Sequence, residues 1–187
     1  SFRDKVQKNL PIRFKGHIAY DGQYGPVGPL SFDPSIIKVS GPAELLDTMT
    51  AIYTDSIILE SIDETIELTI DLAVIYSATS LSFDSVNTKL TLPVEKFTEG
   101  TVDVPVTQVG KYNNGTIKVF PTEVEVSYWI PLSQFENIQK EQFKVEVDLE
   151  EIKQEGTSSL QVLITDFPST VKRVRSDPEK VEFIIQR

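Results

Sequence analysis

Residues Ser31 to Leu59 read SFDPSIIKVSGPAELLDTMTAIYTDSIIL, and the order of residue types along them decides the fold. A strand-like run through Ile36, Ile37 and Val39 stops at Gly41-Pro42. Pro42 suits the first helical position, where its missing N–H costs nothing. Glu44 puts negative charge near the positive end of the helix dipole, which leaves Gly41 as the cap. Leu45, Leu46, Met49, Ile52 and Tyr53 recur at three- and four-residue spacing, while Asp47, Thr48 and Thr50 fall elsewhere. The spacing makes one apolar stripe and predicts an amphipathic helix from Pro42 to Tyr53 lying on a sheet, with Met49 and Tyr53 in its core. Ile57-Ile58-Leu59 then returns the chain as a strand.

Outward from this unit the sequence alternates. On the N-terminal side, Leu10 to Tyr20 puts Ile12, Phe14, Ile18 and Tyr20 on one face and Arg13, Lys15 and His17 on the other, as in a half-buried strand. His17 is the only histidine and reads as a solvated strand residue with no metal partner nearby. Asp21 to Pro29 (DGQYGPVGP) has glycines at 22, 25 and 28. It lacks the Gly-Lys-Ser/Thr ending of a phosphate loop, and Pro26 and Pro29 remove amide donors that such a loop uses. It therefore reads as a surface loop, the kind of segment that carries partner contacts. On the C-terminal side, Ile66, Leu68, Ile70, Leu72, Val74 and Tyr76 alternate against Glu67, Thr69, Asp71 and Ala73. This predicts one long strand of an antiparallel sheet with a wet face. Thr88, Leu90, Leu92 and Val94 form another strand, and the charged EKFTEG that follows marks a boundary within Lys96 to Thr101.

The second half begins with a strand from Val102 to Val109. Asn114-Gly115, standing between it and Thr116 to Val119, predicts a hairpin, because both residues tolerate positive φ. Asn114-Gly115-Thr116 also spells a glycosylation sequon. Val124, Val126, Tyr128 and Ile130 alternate, which places Tyr128 inside and Trp129 outside with Glu123 and Glu125. Ser133 and Glu136 spell a capping box and predict a second short helix, Leu132 to Gln139, with Phe135 and Ile138 on its apolar side. Strands through Phe143 to Leu149, Leu160 to Ile164 and Val181 to Ile185 close the chain.

Composition narrows the chemistry. The chain has 187 residues, 40% of them hydrophobic, enough for a real core in one domain or two. Its net charge of −10 argues against nucleic acid, whose affinity needs clustered Lys and Arg, and against direct binding to anionic lipid. There is no cysteine, so disulfides, thiolate catalysis and Cys-ligated metal are excluded. No stretch approaches the roughly 20 apolar residues of a membrane span. A Ser or Thr nucleophile wants a His base, and no Gly-x-Ser-x-Gly elbow is present. The acids Glu67, Asp71, Glu146 and Asp148 fall on outer strand faces. Asp148, Glu150, Glu151 and Glu155 could hold calcium adventitiously, but no Asp-x-Asp-x-Asp-Gly loop exists. No cofactor is expected.

The halves repeat. Leu10-Pro11-Ile12 matches Val104-Pro105-Val106, and FDPSIIKVS from Phe32 matches FPTEVEVS from Phe120, each followed by the helix signal. SIILESI from Ser56 parallels KVEVDLEEI from Lys144, and FDSVNTKLTL from Phe83 parallels SDPEKVEFII from Ser176. The expected fold is mainly β and largely antiparallel, in two modules, residues 1–97 and 98–187, each with one short helix.

The order of a Pro-led strand, a Ser-Gly-Pro break, a helix, an Ile-Tyr-Thr turn and a further strand resembles the YbbR-like repeat. FDPSIIKVSGPAELLDTMTAIYTDSIIL, Phe32 to Leu59, is its most specific part; in the second half Tyr128-Trp129-Ile130 stands where Gly41 would fall. The resemblance implies a tandem array of β-rich modules on the extracytoplasmic side of a bacterial membrane, tethered by an N-terminal membrane helix upstream of Ser1. It also implies no catalytic site, and a membrane or envelope protein partner, which for the best-understood members is a diadenylate cyclase that they regulate. The competing class is a small-ligand or carbohydrate-binding β module. Tyr24, in the Asp21 to Pro29 loop, and Trp129 are the candidate partner-binding residues. Trp129 is either an exposed recognition aromatic or a residue covered by the other module. No feature assigns an oligomeric state.

Overall fold

A computed structural model describes residues 5–153 and 156–187. The protein is mainly β with mostly antiparallel sheets, and it divides into two compact units between Lys96 and Phe97. The first unit holds β1 (Lys5–Arg13), β2 (Gly16–Tyr20), β3 (Tyr24–Pro26), β4 (Ser31–Asp33), β5 (Ile36–Pro42), α1 (Ala43–Leu46) and β6 (Ile52–Tyr53). It continues with β7 (Ile57–Ile62), β8 (Ile66–Asp71), α2 (Leu72–Ile75), β9 (Ser82–Phe83) and β10 (Asn87–Leu92). The long β11 (Val94–Val109) carries the chain from the first unit into the second. There follow β12 (Thr116–Phe120), β13 (Glu123–Pro131), β14 (Lys144–Asp148), β15 (Ser159–Gln161), β16 (Leu163–Asp166), β17 (Lys172–Asp177) and β18 (Lys180–Gln186).

In the first unit β1 is the pivot. It runs antiparallel to β5, with Leu10 opposite Ile37, and parallel to β6, with Ile12 opposite Ile52. β9 extends this sheet beyond β5, and a second antiparallel sheet has the order β4-β10-β8. Leu10, Ile37, Val39, Leu46, Ile52, Leu72 and Leu90 are almost wholly buried in one core. β2 and β7 form a separate parallel ribbon. There Gly16 has φ +152°, and a Cβ on it would sit 1.9 Å from the Ile57 carbonyl oxygen, so only glycine lets the two backbones approach.

The second unit repeats the order of strand pairing. β11 is antiparallel to β13, with Val104 opposite Val124, and parallel to β14, with Val106 opposite Val145. β17 lies beyond β13 as β9 lies beyond β5, and β12-β18-β15 answers β4-β10-β8. Even the hydrogen bonds that enter the sheet match: Ile12 N–H donates to Ser35 O, and Val106 N–H to Thr122 O, both at 2.9 Å. Val104, Val124, Val126, Ile130, Val145, Val147, Leu160 and Val181 make the core.

Several elements differ from the sequence expectation. The helix expected over Pro42 to Tyr53 is only one turn. Gly41 belongs to β5, Pro42 with ψ 135° is the capping residue, and Ile52 and Tyr53 are strand. Leu46 is fully buried while Leu45 and Tyr53 are exposed, so the apolar spacing serves a turn and a strand rather than one helical face. Lys8 Nζ ends the helix by donating to Leu46 O at 3.1 Å and Met49 O at 2.8 Å. The alternation from Ile66 to Tyr76 is likewise broken. The Asp71 carboxylate accepts from Val74 N–H at 3.2 Å and starts α2, which turns Val74 into solvent.

The Asn114-Gly115 turn does not make a hairpin. β12 pairs with β18, and Gly115 at φ +136° lies against the Gln186 backbone. Ser133 and Glu136 form no capping box. Leu132–Asn137 is a 3₁₀ turn capped at Pro131 without a side-chain bond, and the Gln142 side chain instead accepts from Gln139 N–H at 2.7 Å. The first unit thus has two short α-helices and the second has 3₁₀ turns in place of its expected helix. The Lys96 to Thr101 boundary segment is strand within β11, and the Asp21 to Pro29 loop contains β3, which pairs with Val94 to Lys96. The counterpart of β14 is β6, not the Ser56 to Ile62 segment, since Ile52 and Val145 hold the same place beside Ile12 and Val106.

Candidate functional site

The polar groups in the cores are spent on the fold. Among the described residues, Thr54 and Thr88 are the buried polar ones. Thr54 Oγ1 accepts from Lys15 N–H at 2.9 Å, and Thr88 Oγ1 donates to Pro34 O at 2.8 Å. Among the described residues no buried side-chain nitrogen or oxygen lacks a partner, and no cluster of three His, Cys, Asp or Glu residues could hold a metal. His17 is exposed on β2 opposite Ile58. Of the acids considered for calcium, Asp148 Oδ1 accepts from Glu150 N–H at 2.9 Å and Glu151 Oε2 from Gln161 N–H at 3.3 Å. Glu155 lies outside the described residues.

Burial pushes the Tyr20 and Tyr128 hydroxyls up, further from neutrality. Lys144 is raised by its hydrogen bond to Glu146, an ion pair of 2.8 Å, and by the charge of that carboxylate. None of these groups is poised for proton transfer near neutrality.

What the surface offers is an aromatic and cationic patch on the outer edge of the second unit. β13 forms because Val124, Val126, Tyr128 and Ile130 fill the core, and period two then turns Trp129 to the other face, half-buried. Its neighbour β17 reads Lys172-Arg173-Val174-Arg175-Ser176-Asp177, with Val174 and Ser176 half-buried and both arginines exposed. Ser127 lies opposite Arg175 but Trp129 opposite Lys172, so two steps on β13 match three on β17. The extra residue makes a bulge. Arg173, at φ 52°, takes the left-handed conformation there. The bulge aims its side chain across the sheet: the guanidinium sits 4.4 Å from the centre of the Trp129 ring. Lys172 Nζ lies 5.0 Å from the ring centre of the buried Phe97.

Of the two candidate partner-binding residues, Trp129 stands in this patch. Tyr24 is elsewhere, half-buried on β3 opposite Lys96, and packs on the small cluster of Ile62, Leu92 and Val94 in the first unit. Sequence reasoning passed over Arg173 and Arg175. The signal was there: Lys172, Arg173 and Arg175 put three cations within four residues of a chain with net charge −10.

No family model and no curated protein matches the chain. Solved structures do. It is similar to the YbbR-like domain of the lmo2119 protein from Listeria monocytogenes, at 22% identity, 48% of this chain, 93% of that one and a TM-score of 0.37. It is similar to a YbbR-like protein from Streptococcus pneumoniae TIGR4, at 14% identity, 98% of this chain, 97% of that one and a TM-score of 0.34. A third, SuR18C from Streptococcus thermophilus, is 19% identical over 51% of this chain and 89% of its own, with a TM-score of 0.39. The chain is thus similar to YbbR-like domain proteins, the family that Phe32 to Leu59 resembles.

Proposed function

We propose that this chain is a non-enzymatic extracytoplasmic scaffold or regulatory module that binds a membrane or envelope protein. The resemblance of Phe32 to Leu59 to YbbR-like repeats supports the location and makes a membrane diadenylate cyclase the first partner to test. One observation carries the binding role. The conspicuous chemistry of the described surface is a fixed contact patch, Arg173 held 4.4 Å over Trp129 on an outer strand, while the buried polar groups are committed to backbone. A ring face occupied by a guanidinium is closed to a stacking sugar, so Trp129 does not favour the carbohydrate-binding alternative. The net charge of −10 keeps the modules soluble and away from anionic lipid, leaving protein contacts as the means of attachment.

The test is crosslinking in cells with the chain in its native full-length context, followed by identification of what is captured. Recovery of a membrane or envelope protein supports the scaffold reading, and recovery of a diadenylate cyclase whose product level changes when the chain is deleted supports the regulatory one. Recovery of cytosolic proteins alone overturns both.

A further inference from the structure

Asn114-Gly115 belongs to the stretch between β11, which ends at Val109, and β12, which begins at Thr116. Asn114 is exposed, and among the described residues its carboxamide has no hydrogen-bond partner. Asparagine side chains are short enough to reach the backbone that follows them. Here that backbone is Gly115, which stands outside the strand ladders and brings no Cβ to shield its own nitrogen. The other asparagines are held or hindered. Asn9 and Asn87 lie in β1 and β10, opposite Lys38 and Asp71, and each precedes a buried side chain, Leu10 or Thr88. Asn137 Nδ2 donates to Gln134 Oε1 at 3.0 Å in its 3₁₀ turn. Asn113 is exposed like Asn114, but a side chain follows it where Asn114 has glycine.

We propose that Asn114 is a site of spontaneous covalent modification, converting through a cyclic imide to isoaspartate and aspartate. The Gly115 amide nitrogen gives its proton to solvent base and bonds to Asn114 Cγ. The carboxamide C–N bond breaks, and its nitrogen takes a proton and leaves as ammonia. Water then adds to the imide. Opening at Cγ restores the peptide with an aspartate side chain, and opening at the backbone carbonyl routes the chain through Cβ and Cγ as isoaspartate. Either product puts one carboxylate in place of one amide, which takes the formal net charge from −10 to −11. Isoaspartate also lengthens the backbone by one carbon just before β12. The chain is close-packed there: a Cβ on Gly115 would sit 2.5 Å from Gln186 O, and Thr116 pairs with Gln186 at the head of the β12–β18 ladder. Isoaspartate therefore loosens that end of the ladder, while aspartate leaves it intact.

The experiment incubates the whole folded chain in mildly alkaline buffer made with water labelled in heavy oxygen, beside the capped peptide of Tyr112 to Lys118. Trypsin cuts after Lys111 and Lys118, so the same segment is weighed from the chain. Asn114 is expected to convert in the folded chain at a rate close to the peptide's, faster as pH rises, with solvent oxygen in the product and isoaspartate in excess. Asn113 and the remaining asparagines should convert about tenfold more slowly or less, a barrier difference of about 1.4 kcal/mol. Asn114→Gln, whose imide ring would be larger, is expected to leave the segment unmodified. Amide shifts of Thr116, Ile117 and Gln186 should move in the isoaspartate form and hold still in Asn114→Asp. Retention of Asn114 in the folded chain overturns the proposal, whether or not the peptide converts. Equal conversion at Asn113, or the same product in Asn114→Gln, overturns it too, and unmoved shifts in the isoaspartate form overturn the effect on the ladder.

Discussion

Leu46→Ala separates packing from helix propensity within a single turn. Leu46 is fully buried, in the core with Leu10, Ile37 and Ile52, while its neighbour Leu45 on the same four-residue helix is 37% exposed. Alanine is at least as good a helix former as leucine, so propensity pushes both substitutions slightly toward stability. Truncating the buried side chain costs about 2 to 5 kcal/mol in lost transfer energy and residual cavity. Truncating the exposed one costs within about 0.5 kcal/mol. With a loss of about 3 kcal/mol and a urea slope of about 1.5 kcal/mol per molar, the midpoint for the first unit falls by about 2 M in Leu46→Ala. The assay follows the Ile37 and Ile52 amide peaks through a urea titration, because these residues share the core that Leu46 fills. The Lys8 bonds to Leu46 O and Met49 O are to backbone and survive the substitution. Equal shifts for Leu45→Ala and Leu46→Ala would refute the reasoning.

Other perturbations probe the backbone, a cap and a buried phenol. Gly16→Ala, with φ +152° and its Cβ 1.9 Å from Ile57 O, is expected to break the β2–β7 ribbon, whereas Gly22→Ala at φ +30°, with open space around it, loses only about 1 kcal/mol; amide exchange of Ile18 and Leu59 reads the difference. Asp71→Ala removes the acceptor for Val74 N–H and is expected to cost about 1 kcal/mol, seen as faster exchange at Val74 and Tyr76; unchanged rates would show that the cap does not hold α2. The Tyr128 hydroxyl is pushed up by burial, so the folded state holds its proton more tightly than the unfolded chain. Its contribution is fully present below the ordinary phenol value of about 10 and is lost as pH rises through that value toward the raised one. Thermal melts from pH 8 to 11 should accordingly fall less steeply for Tyr128→Phe, and parallel curves would contradict the assignment.

The legible parts of this fold are those where one strand has one wet face. β13 shows it: Val124, Val126, Tyr128 and Ile130 are all buried, as their alternation requires. Repeats were legible for the same reason, since Val39 and Val126 sit opposite Phe83 and Ser176 at equivalent registers. What stayed hidden was non-local. Asn114-Gly115 fits a two-residue turn, but its flanking strands find partners far along the chain, and no local residue announces that. One helical turn is also too short to separate from alternation. Leu72, Ile75 and Tyr76 satisfy a helix as well as Leu72, Val74 and Tyr76 satisfy a strand, and the Asp71 cap decides. The patch was half legible: period two faced Trp129 outward, yet only the register skip shows that Arg173 reaches it.

The repeated plan also shows where the two units part. β9 and β17 occupy the same place beyond β5 and β13, but β9 is two residues long and β17 is six. A short edge offers little backbone to an incoming strand and is protected by its length. A six-residue edge needs other protection, and β17 carries cations and a bulge, two recognised defences against indiscriminate pairing. Those defences are selective. Arginines repel a second basic edge, so the cations on β17 act against pairing with a like copy. The second unit's neighbouring segment completes the contrast. Leu72 and Val162 enter the equivalent step, their N–H groups donating to Val86 O at 2.7 Å and Glu179 O at 2.9 Å. From there the first unit coils into α2, while the second extends into β16. Divergence at this step, from helix to strand, separates two units that otherwise share one order of strand pairing.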